Sequence, residues 1–242
     1  MDIRGSAVLI TGGSRGLGAA LGRELALAGA RVVLVARGRR ALDEVVDSIR
    51  RDGGEAYGLA GDVGDAGAAQ VLAGEAAALV GPLEVLVHAA SSLGRTPLAP
   101  LLDTTPDELE RVLSVNLVGP FRLTRAVAGS MLVRRRGLVL AISSDAAVVS
   151  YPRWGGYGVS KAGLDHLVRI WAAEMEGTGV RFLSLDPGEM DTEMHAAAMP
   201  EADRATLADP RRVAARIRAI VESAETIASG SRLEVASWER AA

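Results

Sequence analysis

Short β-branched runs alternate along this chain with longer alanine- and leucine-rich segments of helical period. No other feature constrains the fold as much. A strand feeding a helix and then a parallel strand is a βα unit, and repeated units build a parallel sheet with helices over both faces. The strand runs are Ala7 to Ile10, Arg31 to Ala36, Glu55 to Leu59, Val85 to His88, Leu138 to Ser143, Arg181 to Leu185 and Arg232 to Val235. Helices are expected over Gly16 to Ala28, Arg39 to Asp52, Asp65 to Val80, Pro106 to Arg135 as one long helix, Trp154 to Gly177 and Pro210 to Ser223. The expected fold class is α/β, with one doubly wound parallel sheet of about seven strands.

A chain of 242 residues, 49% apolar and 24% charged, suits one such domain over its whole length, 1–242. The net charge of -3 and the absence of a long basic run argue against a nucleic-acid partner. With no cysteine, disulfides, thiolate metal sites and cysteine nucleophiles are excluded, and His88, His166 and His195 are too dispersed for a ligand motif, so no metal is expected. The apolar run after Met1-Asp2-Ile3-Arg4 is too short for a signal peptide, and no uninterrupted apolar stretch reaches the roughly 18 residues of a membrane span. No membrane partner and a cytoplasmic location are the expectation. Asp186 to Asp209 is longer than a usual connection and holds prolines, methionines and a histidine, which reads as a substrate lid at about 186–209.

The first strand run ends in Thr11-Gly12-Gly13-Ser14-Arg15-Gly16-Leu17-Gly18, and a helix begins at once. These glycines fall at the carboxyl edge of the sheet beside a helix N-terminus, whose free amides and dipole attract an anion. Gly12 permits the sharp turn, Gly16 lets backbone approach a pyrophosphate, and Gly18 lets the helix pack closely on the strand. A helix cap or tight loop also uses glycines; the position between strand and helix favours a nucleotide.

Tyr157 and Lys161 stand four apart in Gly155-Gly156-Tyr157-Gly158-Val159-Ser160-Lys161, so on a helix they share one face. A phenol with a pKa of about 10 is a poor base at neutral pH, and bringing it near 7 takes roughly 4 kcal/mol. An ammonium at about 4 Å supplies roughly that under an effective dielectric near 20. The pair is common on helices, so its weight comes from context: Ser143-Ser144 closes the fifth strand run, with Ser144 thirteen residues before Tyr157.

The string TGGSRGLG resembles the TGxxxGxG turn of the short-chain dehydrogenase/reductase family, and Ser144 with Tyr157-x-x-x-Lys161 resembles that family's Ser…Tyr-x-x-x-Lys pattern. The resemblance covers about Ala7 to Thr192 with four motifs in the family's order. It implies a single-domain Rossmann-type fold and an NADP(H)- or NAD(H)-dependent oxidoreductase. By resemblance, Ser144 binds the substrate carbonyl oxygen, Tyr157 transfers the proton, Lys161 lowers the tyrosine's pKa and holds the nicotinamide ribose, and Asn116 in Val115-Asn116-Leu117 holds a water linking Lys161 to solvent. Gly12, Ser14, Arg15, Gly16, Leu17 and Gly18 would cradle the cofactor; Asp62 and Val63 would meet adenine; Ala89 and Ala90 would lie beside it. Pro187, Gly188, Met190 and Thr192 would meet the nicotinamide end. Asp62 could equally cap a turn, and Asn116 could equally make a structural hydrogen bond.

Cofactor choice is read where the second strand ends. An NAD enzyme would place an acid there for the adenosine ribose, whereas this chain has Ala36 and Arg37. Arg37, with Arg15 by resemblance, would pair with a 2′-phosphate, so NADP(H) is expected. The other reading makes Arg37, Arg39 and Arg40 a solvated helix start.

The family's Asn-Asn-Ala-Gly after the fourth strand is His88-Ala89-Ala90-Ser91 here, which puts the stability of that loop in doubt more than the chemistry. His88 is read as a structural hydrogen-bonding group, and Tyr151, with no lysine four residues on, as a pocket wall. Met190, Met194, His195, Met199, Trp154, Tyr151 and Leu93 would line an apolar pocket for an uncharged ketone or aldehyde, unless the methionines simply pack on helices. A ketoacyl-thioester reductase, with Arg134-Arg135-Arg136 meeting an acyl carrier, and a non-catalytic NADP(H)-sensing regulator are the alternatives. Leu164, Leu167, Val168 and Trp171 exceed what one sheet face needs, so a homodimer or homotetramer is expected.

Overall fold

The seven runs form strands β1 (Ala7–Thr11), β2 (Arg31–Ala36), β3 (Glu55–Ala60), β4 (Val85–His88), β5 (Gly137–Ile142), β6 (Val180–Asp186) and β7 (Arg232–Glu234) in the computed structural model, which describes residues 1–240. They pair in parallel as one sheet in the order β3-β2-β1-β4-β5-β6-β7. This is the doubly wound Rossmann arrangement, in a single domain. The strand order reverses between β1 and β4, which opens a crevice at their carboxyl ends.

Side-chain alternation along the strands builds two cores. Val8, Ile10, Val32, Leu34, Val87 and Leu140 face helices α1 (Gly16–Leu27), α2 (Arg39–Arg51) and α8 (Pro210–Glu222). Leu9, Val33, Val35, Leu86, Val139 and Phe182 face α3 (Ala68–Val80), α5 (Gly119–Arg134) and α6 (Gly155–Glu174). Full burial of each such side chain contributes roughly 1.5–3 kcal/mol, and both faces of the sheet must be apolar to collect it. Leu164 and Val168 belong to the second core, and Trp171 stacks on Phe182 at 6.0 Å. Those residues are therefore largely used within the chain, which corrects their reading as surplus; the apolar side chains left exposed on α5 and α6 are Phe121, Val133, Val159 and Ile170.

The expected single long helix is three pieces. Helix α4 (Pro106–Leu113) opens on a capping box in which Thr105 and Glu108 bond each other's backbone amides. A π-helical turn, Ser114–Val118, follows, and then α5. Pro120 has no N–H to donate to the carbonyl four residues back, that of Asn116, which disfavours the ordinary helical register at this point. The segment 186–209 contains the short helix α7 (Glu193–Ala198), and backbone bonds from Asp191 to Ala208 and from Ala208 to Glu189 tie its ends together.

Candidate active site

The crevice beside β1 is built from the glycine turn. Gly12 has φ +74, and a Cβ there would meet the backbone of Ala89 and Ala90 at 2.8–2.9 Å. A Cβ on Gly18 would collide with the carbonyl of Gly12, so the strand and α1 approach this closely only without side chains. Thr11 Oγ1 accepts from the amides of Ala89 and Ala90 at 3.2 and 3.1 Å and binds the β4 loop to the same edge. No side chain caps α1 and its first turn holds no acid, which leaves its leading amides and dipole to an external anion.

Arg37 follows β2 and is exposed. Arg39 and Arg40 pair with Asp43 and Glu44 one turn further on, whereas Arg37 has no carboxylate partner among the described residues. It lines a cavity of ≈ 610 Å³ together with Asp62, Ser92, Arg95, Arg111 and Val115. Asp62 accepts from the amide of Gly64 at 2.9 Å, so it does cap a turn, and Val63 packs on the second core. Arg15 pairs with Glu193 of α7 at 2.5 Å, tying the glycine turn to the segment expected to act as a lid. The uncapped N-terminus of α1 fits a pyrophosphate, and Arg37 with the cavity it lines fits the adenosine end of a nicotinamide dinucleotide.

Farther along the crevice, Ser144 follows β5 and Tyr157 and Lys161 project from the first turns of α6. Lys161 is buried; its Nζ donates to the carbonyl of Ile142 at 2.7 Å and lies 5.4 Å from the centre of the Tyr157 ring. Burial pushes the Lys161 pKa down to about 8, with Asp165 pulling it back up. Burial likewise pushes Tyr157 up to about 12; contact with the Ser144 and Ser91 hydroxyls lowers it, while the charges of Asp186 and Asp145 add to the rise. The free protein thus holds the phenol above its ordinary value and not below it as expected, because removing the phenolate from water costs more than the neighbouring hydroxyls return. Ser144 Oγ donates to Asp145 Oδ1 at 2.9 Å, and Tyr151 donates to Asp145 Oδ2 at 2.7 Å. Tyr151 thereby orients the acid next to Ser144 in addition to standing at the rim.

Asn116 is buried in the π-turn. Its Oδ1 accepts from the amide of Ser92 at 2.7 Å, and its Nδ2 donates to the carbonyl of Ser92 and to Ser160 Oγ, each at 2.9 Å. It clamps the β4 loop to α6 one residue before Lys161 and makes no direct bond to that lysine. Pro187 and Gly188 follow β6, where the amide of Gly188 donates to Asp186 Oδ1 at 3.0 Å. Thr192 caps α7 by accepting from the amide of His195, and Met190 packs on the first core, which gives that methionine a structural contact. The cavity wall next to Tyr157 is formed by Leu93, Leu98, Leu109, Val112 and Trp154, with Arg95 and Arg153 at its polar edge.

The general short chain dehydrogenase family model matches residues 6–203. The chain belongs to the short chain dehydrogenase family. A relative from Pseudocercospora fijiensis, itself called a short chain dehydrogenase, is 38% identical over 198 residues, 81% of this chain and 63% of its own length. A candidate short chain dehydrogenase from Pseudomonas syringae has a solved structure that superposes with a TM-score of 0.90 at 32% identity, over 97% of this chain and 96% of that one. A metagenomic short-chain oxidoreductase solved in complex with NADP gives 0.82 at 30% identity, over 97% of each chain.

Within this family the departure at His88-Ala89-Ala90-Ser91 has a local explanation. His88 is buried, shares a hydrogen bond of 2.8 Å with Thr124 of α5, and is pushed by burial, then by the charge of Lys161, down to a pKa of about 3. It makes the hydrogen bond expected of it from the sequence, and burial keeps it neutral. Sequence reasoning missed Arg232, Asp165 and Ser184, which lie together behind the site: Arg232 donates to Asp165, to Asp186 and to the carbonyl of Ser144. An arginine in a weak terminal strand and an aspartate in an amphipathic helix carry no signal of pairing. Among the described residues no cluster of His, Asp and Glu could hold a metal ion, and no helix is long and apolar enough to cross a membrane.

Proposed function

We propose that this chain is an NADP(H)-dependent oxidoreductase that transfers a hydride between nicotinamide and a carbonyl or alcohol substrate. The observation that carries the reading is the convergence of Ser144, Tyr157 and buried Lys161 at the strand ends beside an uncapped helix N-terminus. The nicotinamide, when bound, supplies or accepts the hydride at the substrate carbon. In the reducing direction, Ser144 swings its hydroxyl from Asp145 to the carbonyl oxygen, and Tyr157 gives that oxygen its proton as charge develops. Lys161 stabilises the resulting phenolate and binds the ribose. Gly12 to Gly18 hold the pyrophosphate, Arg37 the 2′-phosphate, Asp62 and Val63 the adenine, and Pro187, Gly188 and Thr192 the carboxamide. Arg37 without an acid partner supports NADP(H), as does the NADP-bound metagenomic relative.

The apolar wall of Leu98, Leu109, Val112 and Trp154 favours an uncharged ketone or aldehyde. The position of the three arginines weighs against the carrier-binding alternative. Arg134 donates to the carbonyl of Leu83, Arg135 to that of Gly177, and Arg136 pairs with Glu84, all at the opposite end of the sheet from Tyr157. Segment 186–209 is proposed as the lid, and exposed Val159 and Ile170 as part of a homo-oligomer contact that light scattering would report. The deciding experiment follows NADPH oxidation across a panel of carbonyl compounds. Turnover by the wild-type protein and its loss in Tyr157→Phe is the expected result, and equal turnover by the variant overturns the mechanism. Tight NADPH binding with no turnover on any compound favours the sensing role.

A further inference from the structure

Asp165, Asp186 and Arg232 form a charged cluster that no step above uses. The register places them together. Arg232 of β7 pairs with Ser184 of β6, Asp186 lies two residues on and so on the same sheet face, and Asp165 comes down onto that face from α6, one turn past Lys161. Arg232 Nε donates to Asp165 Oδ2 at 3.1 Å, and Nη2 donates to Asp186 Oδ2 at 2.7 Å and to the carbonyl oxygen of Ser144 at 3.0 Å. Ser184 Oγ donates to the other oxygen of Asp165. The Arg232 side chain is 18% exposed, Asp165 4% and Asp186 10%, so their charges act with little screening by water.

We propose that Arg232 is a positioning residue for the proton machinery, fixing the Ser144 backbone and holding the charges of Asp165 and Asp186 away from Lys161 and Tyr157. The proposal rests on the catalytic roles assigned above to those residues. Each bond reaches a different part of the site: the Ser144 carbonyl sets the turn after β5, Asp186 sets the Pro187-Gly188 turn through the Gly188 amide, and Asp165 lies beneath Lys161. A buried carboxylate with no cation would be costly, and Arg232 is the cation both share. The groups facing Lys161 and Tyr157 are neutral His88 from β4, the Ile142 carbonyl from β5, Asp145 after Ser144, Asp186 from β6, Asp165 on α6 and the Ser160 hydroxyl bound to Asn116. Arg232 from β7 is the cation bonded to two of these acids, Asp165 and Asp186. Asp165 raises the Lys161 pKa, and Asp186 and Asp145 raise that of Tyr157, so loss of Arg232 moves both upward.

Lys161 is the only lysine in the chain, so isotopic lysine labelling gives one side-chain resonance, and its titration reads the site without turnover. In the free protein, where the midpoint lies at about 8, Arg232→Gln is expected to move it up by roughly half a unit to one unit. Arg232→Lys, which keeps the charge, is expected to stay near the wild type, and Asp165→Asn to move it down. Asp165→Asn leaves the bond to Ser144 in place and decides the question if Arg232→Gln does not fold. An unmoved midpoint in Asp165→Asn, or an Arg232→Lys shift as large as that of Arg232→Gln, overturns the proposal. Because no substrate enters the measurement, its outcome is separate from that of the carbonyl panel. With an active substrate, the basic limb of the turnover–pH profile is expected to move upward in Arg232→Gln as the lysine does.

Discussion

Lys161 Nζ donates to the carbonyl of Ile142 at 2.7 Å, and that bond ties the lysine to the end of β5 in the absence of any ligand. The ammonium is thus held near Tyr157 before a substrate arrives, and no rotamer search precedes the chemistry. Tyr157→Phe is expected to lower turnover by about 10²–10⁴-fold, the usual worth of a positioned proton donor, with unfolding midpoint and NADPH affinity little changed. Lys161→Met should lower both turnover and NADPH affinity if, as proposed, the same ammonium serves the phenol and the ribose. Steady-state rates and fluorescence titration of NADPH separate the two variants.

Arg37 has no carboxylate partner among the described residues where its neighbours Arg39 and Arg40 are paired, and the 2′-phosphate is the group that would use it. Arg37→Ala is expected to reduce kcat/KM for NADPH by about 10–100-fold while leaving NADH nearly unchanged, the size expected for one charge-assisted hydrogen bond. An equal loss with both cofactors would instead assign Arg37 to the protein's stability.

His88 makes folding stability depend on pH. Its folded-state pKa of about 3 lies below the 6.5 of a free histidine, so between these values the unfolded chain binds a proton that the folded chain refuses. The contribution is fully present above pH 6.5 and is lost as pH falls toward 3, at about 1.4 kcal/mol per unit. Urea denaturation at pH 7 and at pH 5 should therefore show a fall of about 2 kcal/mol from this residue. His88→Asn is expected to remove that part of the acid limb; an unchanged limb would mean that the carboxylates alone set it.

Asn116 joins the β4 loop to α6 through three bonds of 2.7–2.9 Å. Asn116→Ala leaves the amide and carbonyl of Ser92 without those partners, and a loss of about 2–4 kcal/mol in unfolding free energy is expected. Asn116→Asp keeps the acceptor for the Ser92 amide but not the donors, and is expected to fall between. A variant with normal stability and slow turnover would place Asn116 in the proton path instead of the scaffold.

The order of strands and helices was legible in the sequence because it rests on local periodicity, and a parallel βα chain has few ways to cover both faces of its sheet. The glycine turn was legible for a similar reason: a strand end, four glycines and a helix start lie within eight residues, and their chemistry is carried by local backbone. Ser144, Tyr157 and Lys161 stood out through spacing and order. What only the tertiary structure decided was what surrounds them. Arg232 reaches Asp165 across 67 positions and the Ser144 carbonyl across 88, and no local pattern encodes such a meeting. The break at Asn116, the neutral state of His88, and the opposite displacements of Tyr157 and Lys161 follow from burial, which depends on everything packed around a group and not on its neighbours along the chain. The sequence by itself determined the order of the sheet, the glycine turn and the identities of Ser144, Tyr157 and Lys161; what buries and bonds them was decided by tertiary packing, in which β7 brings Arg232 against Asp165, Asp186 and the Ser144 carbonyl.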